Sequence, residues 1–266
     1  MKPLIHFAHA NGVPSLVYQK LFDALKDEFD VVFVPVLGAD QRYSIDNHWK
    51  HLTQQVIDSV VEQVQGRPVI GLGHSLGAAL SFQAARLRPE LFSKVILLDP
   101  PLILGKDCLA LHLVKSLGLT NILDKMSPAG LSKRRRDHWE SRDQAFASLR
   151  PKGFYADFDP DCFQAYIDHA LIDDPIRGCV KLTIPKDNEV EIFRTNPSWW
   201  WLPHSKVDVP MHLIAASQGP FIARGYPQIL EKKFGVPFSI WEGGHMFPLE
   251  QPEALAIRIK ALIKAL

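Results

Sequence analysis

The chain has 266 residues, of which 47% are hydrophobic and 22% are charged, and its formal net charge is +1. This composition is typical of a folded globular protein and excludes a disordered chain, and the near-neutral charge excludes a strongly basic nucleic-acid-binding protein. A chain of this length predicts one large domain or a core with an inserted subdomain.

The cysteines and the first residues bear on location. Cys108, Cys162 and Cys179 are widely spaced and form no Cys-x-x-Cys pair, which favours a reducing compartment and gives no metal-binding pattern. Residues 1–8 hold only a short apolar run, interrupted by His6, so we interpret them as a strand and not a signal peptide. No apolar run approaches the ~18–20 residues of a membrane span. We therefore expect a cytoplasmic protein with no membrane span.

Short apolar runs alternate with helical segments along most of the chain. Most of these runs lack the polar alternation of a half-exposed sheet, which is typical of parallel strands covered on both faces. The alternation predicts a doubly wound α/β sheet flanked by helices. The predicted strands are Leu4–Ala8, Val31–Val36, Val69–Leu72, Val95–Leu98, Leu213–Ala216 and Phe238–Trp241, and the predicted helices are Leu16–Leu25, Trp49–Val64, Leu76–Leu87, Ile222–Phe234 and Pro252–Leu266.

Residues 102–207 follow a different pattern. No strand in this segment fits the core sheet, and helical pieces alternate with charged patches. We predict a core of residues 1–101 and 208–266 with a mainly helical cap at 102–207. The basic run Lys133–Arg136 is either an anion-binding site or, as we prefer, a solvated face.

Three consecutive tryptophans, Trp199, Trp200 and Trp201, lie near the end of this segment. Three successive indoles cannot all face one core from a helix or a strand. At least one is therefore expected to line a cleft or the seam between cap and core, and the three are candidate substrate contacts.

The segment Gly73–Gly77 reads Gly-His-Ser-Leu-Gly between an apolar strand and an alanine-rich helix. A serine on such a sharp turn presents its Oγ atom to a base and to a substrate. Gly73 and Gly77 stand where a Cβ atom would collide with a neighbouring strand or helix. The alternative is an ordinary turn whose serine caps the helix, but the context favours Ser75 as a nucleophile.

A base and an acid are needed to activate this serine. His245 follows the last predicted strand, and loops that leave the carboxyl ends of parallel strands share one edge of the sheet. Asp99 ends the strand beside that of Ser75, and the proline after it favours an extended backbone. We predict His245 as the base and Asp99 as the acid that orients it. Two alternatives stay open: Asp99 only bonds loop amides, or Glu242 is the acid.

Two backbone amides are predicted to stabilise the oxyanion of the reaction. The amide of Leu76 lies at a helix N-terminus, which favours negative charge. The amide of Asn11 comes from the loop after the first strand. His9 in that loop is expected to brace it without titrating in catalysis.

The loop His9–Gly12, the serine turn and the Gly-Gly-His before the final helix together resemble the α/β-hydrolase superfamily, over nearly the whole chain. The resemblance implies an α/β-hydrolase fold with a cap and the order nucleophile, acid, histidine. Two departures stand out: the loop reads His-Ala-Asn where the family usually has His-Gly-x, and Gly219 occupies the usual acid position. The chain also lacks room for the family's first two strands, so we expect about six core strands, all parallel.

The hypothesis that follows is a serine hydrolase without cofactor or metal, of the carboxylesterase type, that acts on small apolar esters through an acyl-enzyme. A serine at this turn argues against the epoxide-hydrolase and dehalogenase branches, which use a carboxylate there. Alternatives are hydrolysis of thioesters or carbon–carbon bonds, acyl transfer by the same residues, or a non-catalytic binding protein of this fold.

Overall fold

A computed structural model describes residues 2–64 and 66–266; Met1 and Gln65 of the predicted core lie outside it. Its central sheet has six parallel strands in the order β2-β1-β3-β4-β8-β9, which confirms the predicted α/β-hydrolase fold. The strands of the described residues are β1 Leu4–Ala8, β2 Asp30–Phe33, β3 Val69–His74, β4 Phe92–Leu98, β5 His138–Trp139, β6 Leu171–Asp174, β7 Cys179–Leu182, β8 Met211–Ala216 and β9 Phe238–Trp241.

Helices cover both faces of this sheet and fill the segment between β4 and β8. They are α1 Gln19–Leu25, α2 Lys50–Val64, α3 Leu76–Leu87, α4 Gly105–Ser116, α5 Thr120–Met126, α6 Ala129–Arg134, α7 Arg142–Leu149, α8 Gly153–Ala156, α9 Pro160–His169, α10 Lys186–Arg194, α11 Pro220–Ala223, α12 Tyr226–Phe234, α13 Phe247–Glu250 and α14 Pro252–Ala265, with short 3₁₀ helices at Ser15–Tyr18, Asn47–Trp49 and Pro89–Leu91.

Two predicted helices differ from those observed. The predicted helix Leu16–Leu25 begins as a 3₁₀ helix and becomes α-helical at Gln19. The predicted helix Ile222–Phe234 is broken by Gly225, whose φ of 69° is left-handed. Glycine adopts this conformation without strain, so the chain turns there and α12 starts afresh.

The central strands are covered on both faces, as their apolar runs predicted. All six residues of β3 are buried. On β4, Ile96 and Leu98 pack in one apolar cluster while Val95 and Leu97 pack in the other. This alternation between two covered faces explains why the run is apolar throughout.

The segment between β4 and β8 is mainly helical, but it also contains a three-stranded antiparallel sheet in the order β5-β7-β6. This small sheet was not predicted, because its strands are only two to four residues long. The segment also packs on the core, since Phe163 and Tyr166 of α9 share a cluster with Tyr18. Within the described residues no helix has both the length and the apolar character of a membrane span.

Candidate active site

Ser75 lies at the turn between β3 and α3. Its φ of 53° and ψ of −117° are unfavourable for a residue with a side chain, and such strain is concentrated at functional sites. A Cβ atom on Gly77 would lie 2.0 Å from the carbonyl oxygen of Ala8, and one on Gly73 would lie 2.5 Å from the carbonyl carbon of Gly77. Both glycines are therefore required by close backbone approach, as predicted.

The structure brings Ser75, His245 and Asp99 together. Ser75 Oγ lies 2.9 Å from His245 Nε2, and His245 Nδ1 lies 2.6 Å from Asp99 Oδ2. Because Nδ1–H donates a hydrogen bond to the carboxylate, Nε2 carries no proton and is free to accept the proton of the serine hydroxyl. This is the relay that a nucleophilic serine requires.

Asp99 reaches the histidine through an unexpected backbone conformation. Its φ is 42°, so the extended conformation predicted from the following proline was wrong. The backbone amide of Asp99 donates to Ile214, and its Oδ1 atom accepts from the amide of Ala216 at 3.1 Å. These bonds to β8, together with the bond to His245, hold the residue in a turn that the local preference of the sequence disfavours.

Glu242, the alternative candidate for the acid, is hydrogen-bonded to Ser217 and not to His245. Its Oε2 atom accepts from Ser217 Oγ at 3.1 Å. A Cβ atom on Gly219 would lie 3.4 Å from Asp99 Oδ2. Gly219, which occupies the usual acid position of the family, therefore lies next to the carboxylate of Asp99.

The loop after β1 is tied to the first turn of α3, because the amide of Gly77 donates to the carbonyl of His9 at 3.0 Å. Leu76 is the first residue of α3, so its amide has no acceptor within the helix. Among the described residues, neither the amide of Leu76 nor that of Asn11 has a protein acceptor. Both amides are thus available to bind an anion.

His9 holds this loop in place. Its Nε2 atom accepts from the amide of Leu37 at 2.6 Å, so the proton is on Nδ1, which donates to the carbonyl of Ala10 at 2.7 Å. Complete burial lowers the pKa of His9 to about 4. The imidazole is therefore neutral and has a structural role, in agreement with the prediction.

A buried hydrogen-bond chain, not predicted from the sequence, joins this loop to the histidine of the site. His74 Nε2 donates to the carbonyl of His245 at 2.9 Å, so its Nδ1 atom accepts from the hydroxyl of Tyr18 at 2.7 Å. The same hydroxyl accepts from the amide of Ala10 at 3.4 Å. Burial holds the pKa of His74 well below its usual range. The imidazole of His74 is therefore neutral, and this series of hydrogen bonds carries no charge.

A buried ion pair lies on the other side of the same loop. The Glu189 backbone carbonyl accepts from Asn11 Nδ2 at 3.1 Å, and its carboxylate accepts from Arg135 Nη1 at 2.8 and 2.9 Å. Arg135 Nη2 donates to the hydroxyls of Tyr155 and Tyr166. The pair thus connects the segment between β4 and β8 to the loop that carries Asn11. Sequence gave no signal for it, since Glu189 lies in no motif.

The basic run Lys133–Arg136 is therefore not uniform. Arg135 is turned inward, which corrects the interpretation of the whole run as a solvated face. Lys133, Arg134 and Arg136 are exposed, as that interpretation requires.

The three tryptophans have different surroundings. Trp200 is buried, with its ring 5.6 Å from that of Phe82 on α3 and 5.9 Å from that of Phe234 on α12. The rings of Trp199 and Trp201 each lie next to a histidine. None of the described ring partners belongs to the serine site, so a role in substrate binding stays a prediction.

The surroundings of Asp99 and His245 are apolar on one side. Within residues 2–64 and 66–266, no three His, Cys, Asp or Glu side chains approach one another as a metal site would require. A small cavity beside Asp99 is lined by apolar groups, including Leu102, Leu104 and Phe221. The ring of Phe221 lies 5.9 Å from that of His245.

Solved structures similar to this one share its fold. E-2-(acetamidomethylene)succinate hydrolase aligns with a TM-score of 0.76 and 18% identity over 99% of this chain and 92% of that chain. The peroxisomal α/β-hydrolase Lpx1 from Saccharomyces cerevisiae aligns with a TM-score of 0.74 and 15% identity, over 99% of this chain and 76% of that chain. The thioesterase domain from the curacin biosynthetic pathway aligns with a TM-score of 0.67 and 17% identity, over 97% and 91%.

Curated relatives are similar over part of the sequence. The type I acyl-CoA thioesterase mpaH of Penicillium brevicompactum is 27% identical over 182 residues, which cover 63% of this chain and 39% of that protein. The protein of the same name from Penicillium roqueforti is 28% identical over 171 residues, 58% of this chain and 36% of that protein. The chain thus spans less than two fifths of the length of these relatives. The family model described as "Alpha/beta hydrolase family" matches residues 7–258, and the chain therefore belongs to the α/β-hydrolase family.

Proposed function

We propose that this protein cleaves carboxylic esters through an acyl-enzyme formed on Ser75. The observation that carries the proposal is the continuous relay from Asp99 Oδ2 through His245 to Ser75 Oγ, with bonds of 2.6 and 2.9 Å. A serine hydroxyl is a weak nucleophile unless a base removes its proton, and these distances suit that transfer.

In the first half of the reaction Ser75 Oγ attacks the ester carbonyl while His245 Nε2 takes the serine proton. The negative charge that develops on the carbonyl oxygen is stabilised by the amides of Leu76 and Asn11. The protonated imidazole, held by the Asp99 carboxylate, then gives its proton to the leaving alcohol. Ser75 is left as an acyl ester.

In the second half a water molecule attacks this acyl ester. His245 Nε2 takes a proton from the water and returns it to Ser75 Oγ as the acid leaves. The same two amides bind the second oxyanion. Because each proton removed is returned, the enzyme ends in its starting state without any cofactor.

We propose small or medium uncharged esters as substrates, and residues 102–207 as a cap on a core of residues 1–101 and 208–266. The ring of Phe221, whose centre lies 5.9 Å from that of His245, supports an uncharged, apolar group next to the base. The ion pair between Arg135 and Glu189 supports a cap that contacts the oxyanion loop, because Glu189 also binds Asn11. Trp199, Trp200 and Trp201 stay candidate substrate contacts within this proposal.

Thioester hydrolysis is the second candidate. It is favoured by the similarity to proteins described as acyl-CoA thioesterases. The proposed relay and oxyanion amides serve a thioester as well as an ester, since the attacked carbonyl is common to both.

A location in the cytoplasm is likewise proposed, because the three cysteines are all free and free cysteines are typical of a reducing compartment.

A fluorophosphonate probe tests the proposal directly, because it reacts only with an activated serine. We expect the folded protein to be labelled at Ser75, and the Ser75→Ala and His245→Ala variants to lose labelling. Ser81→Ala, which alters a buried serine on α3, is the matched control and should label like the wild type. An unlabelled Ser75 in folded wild-type protein would favour a binding protein over an enzyme.

The leaving group is assigned with matched substrates. Aryl esters and acyl-CoA thioesters with the same acyl chains are compared by kcat/KM over increasing chain length. A higher value for the esters supports the first candidate. A consistently higher value for the thioesters would transfer the assignment to the second.

A further inference from the structure

Exposed apolar side chains are concentrated on the three consecutive helices α4, α5 and α6. On α4, Leu109 and Leu113 are four residues apart and share one face. Ile122 and Met126 share a face of α5 in the same way. Isolated exposed leucines are ordinary, but a concentration of them marks an interaction surface. The apolar members on the helices are Leu109 (42% exposed), Leu113 (54%), Ile122 (41%), Met126 (57%) and Leu131 (69%). Leu117 (71%) and Leu119 (40%) lie in the turn between α4 and α5.

The same stretch is strongly basic. Residues 105–136 contain seven Lys or Arg and only two acidic residues, whereas the whole chain has a net charge of +1. Both acids are neutralised by partners outside the stretch: Asp107 pairs with Arg224 at 2.9 Å and Asp124 with Arg194 at 2.7 Å. The acids therefore do not offset the positive charge that faces solvent.

Two of the seven basic side chains are used inside the molecule. Lys115 donates to the carbonyl of Asn196, and Arg135 pairs with Glu189. Four others are exposed and, among the described residues, form no salt bridge: Lys106, Lys125, Lys133 and Arg134.

We propose that the exposed surface of α4, α5 and α6 and of the turn between α4 and α5, called here the α4–α6 face, docks on an anionic lipid surface. Apolar side chains enter the boundary between headgroups and acyl chains, while Lys and Arg are attracted to anionic headgroups. A second copy of the chain is a poorer occupant, because a symmetric contact would bring the same positive charges together. The inference does not rest on the proposed reaction.

The face can dock without unfolding. Helix α4 buries Cys108 and Leu111 on its other side, and the ion pairs of Asp107 and Asp124 attach α4 and α5 to α11–α12 and α10. The exposed leucines contribute little to the free energy of unfolding. Substituting them therefore tests docking and not folding.

Sedimentation with lipid vesicles provides the test. We expect wild-type protein to bind vesicles of phosphatidylcholine mixed with phosphatidylserine, to bind pure phosphatidylcholine weakly, and to be released by added salt. The Leu113→Glu/Leu117→Glu variant should bind roughly a hundredfold more weakly, because each of the two leucines buried from water contributes about tenfold. The control Leu87→Glu/Ile257→Glu alters residues that are 67% and 70% exposed elsewhere and should bind like the wild type.

A variant that lacks two of the basic side chains separates the electrostatic contribution to vesicle binding from the apolar one. Lys133→Gln/Arg134→Gln should weaken binding to the mixed vesicles roughly thirtyfold, since each basic residue near an anionic surface contributes about fivefold. Lys232→Gln/Arg258→Gln removes one exposed Lys and one exposed Arg from other helices and is the matched control.

Three results would overturn the proposal. They are equal binding to both vesicle types, equal losses in the test and control variants, and a dimer in vesicle-free solution that the Leu113→Glu/Leu117→Glu variant dissociates. Binding requires no turnover, and hydrolysis of a water-soluble ester should be the same in all four variants. A failure of docking is therefore distinguishable from a failure of the proposed function.

Discussion

The carboxylate of Asp99 approaches His245 from β4, the strand next to the one that carries Ser75. Strands β4 and β8 are parallel neighbours, so their carboxyl ends meet at one edge of the sheet. An acid at the end of either strand can therefore reach the same imidazole nitrogen. The Cβ position of Gly219, 3.4 Å from Asp99 Oδ2, places the two alternatives side by side.

The first prediction concerns this acid. Asp99→Asn should lower kcat by roughly 10³- to 10⁴-fold, because an amide no longer fixes the proton on Nδ1 or stabilises the imidazolium. Glu242→Gln is the control and should change kcat little, since Glu242 bonds Ser217 and not His245. Steady-state kinetics on one aryl ester measures both. The reverse order of effects would assign the acid to Glu242.

Moving the carboxylate from position 99 to position 219 extends this test. Asp99→Gly vacates the space and tolerates the positive φ at that position, while Gly219 has φ −88° and ψ 158°, which any residue adopts. Adding Gly219→Asp to Asp99→Gly should therefore restore part of kcat. Gly219→Ala in the same background supplies the Cβ atom without the carboxylate and should restore none.

At the level of elements, α3 packs so closely on β1 that no side chain fits between them. The Cβ atom that Gly77→Ala adds would lie 2.0 Å from the carbonyl oxygen of Ala8, which belongs to the backbone and cannot rotate away. We expect the free energy of unfolding to fall by about 3 kcal/mol or more, as for severe overpacking. Denaturant unfolding monitored by circular dichroism measures it.

Gly153→Ala is the matched control for that prediction. No atom lies within 4 Å of the Cβ position at Gly153, the first residue of α8. The free energy of unfolding should stay the same or rise slightly, because alanine favours a helix more than glycine does. A Gly77→Ala variant as stable as this control would show that α3 does not approach β1 so closely.

Elements with strong local patterns were predictable from the sequence. The bounds of β1, β9 and α3 agree with the prediction because a continuous apolar run, or a run of helix-forming residues, ends at clear breaks. The small sheet β5-β7-β6 was missed because two to four residues carry no periodicity. The break at Gly225 was missed because one glycine is tolerated inside a helical pattern.

The residues of the site likewise fall into those that local sequence patterns indicate and those that they do not. The proximity of Ser75, His245 and Asp99 was predictable because each follows a core strand, and a parallel sheet brings such positions to one edge. Tyr18 and Glu189 were missed because their partners are far away in the sequence, and no local pattern encodes the contact. The prediction of an extended backbone at Asp99 was wrong because hydrogen bonds to β8 and to His245 outweigh the conformational preference that Pro100 imposes on the residue before it.

At the scale of the whole molecule, three uncharged histidines are buried at the centre of the fold. His6 lies in β1, His9 in the following loop and His74 at the end of β3, and all three are fully buried. Loss of hydration lowers the pKa of His6 and His9 to about 4 and that of His74 well below its usual value. In the unfolded chain each would titrate near its ordinary pKa of about 6.5.

These three histidines predict that the protein is destabilised as the pH falls from about 6.5 towards 4. In this range the unfolded chain binds up to three protons that the folded protein does not bind. Because each such proton changes the free energy of unfolding by about 1.4 kcal/mol per pH unit, these three groups alone should contribute a slope of nearly 4 kcal/mol per pH unit near pH 5. The lowered pKa values of His48, His204 and His212 add to this slope. Urea unfolding at a series of pH values measures this slope. His6→Gln removes one of the three groups and should reduce the slope by about 1.4 kcal/mol per pH unit. His51→Gln, at an exposed position, should leave the slope unchanged. A stability that is flat between pH 4 and 6.5 would mean that the buried histidines take up protons in the folded state.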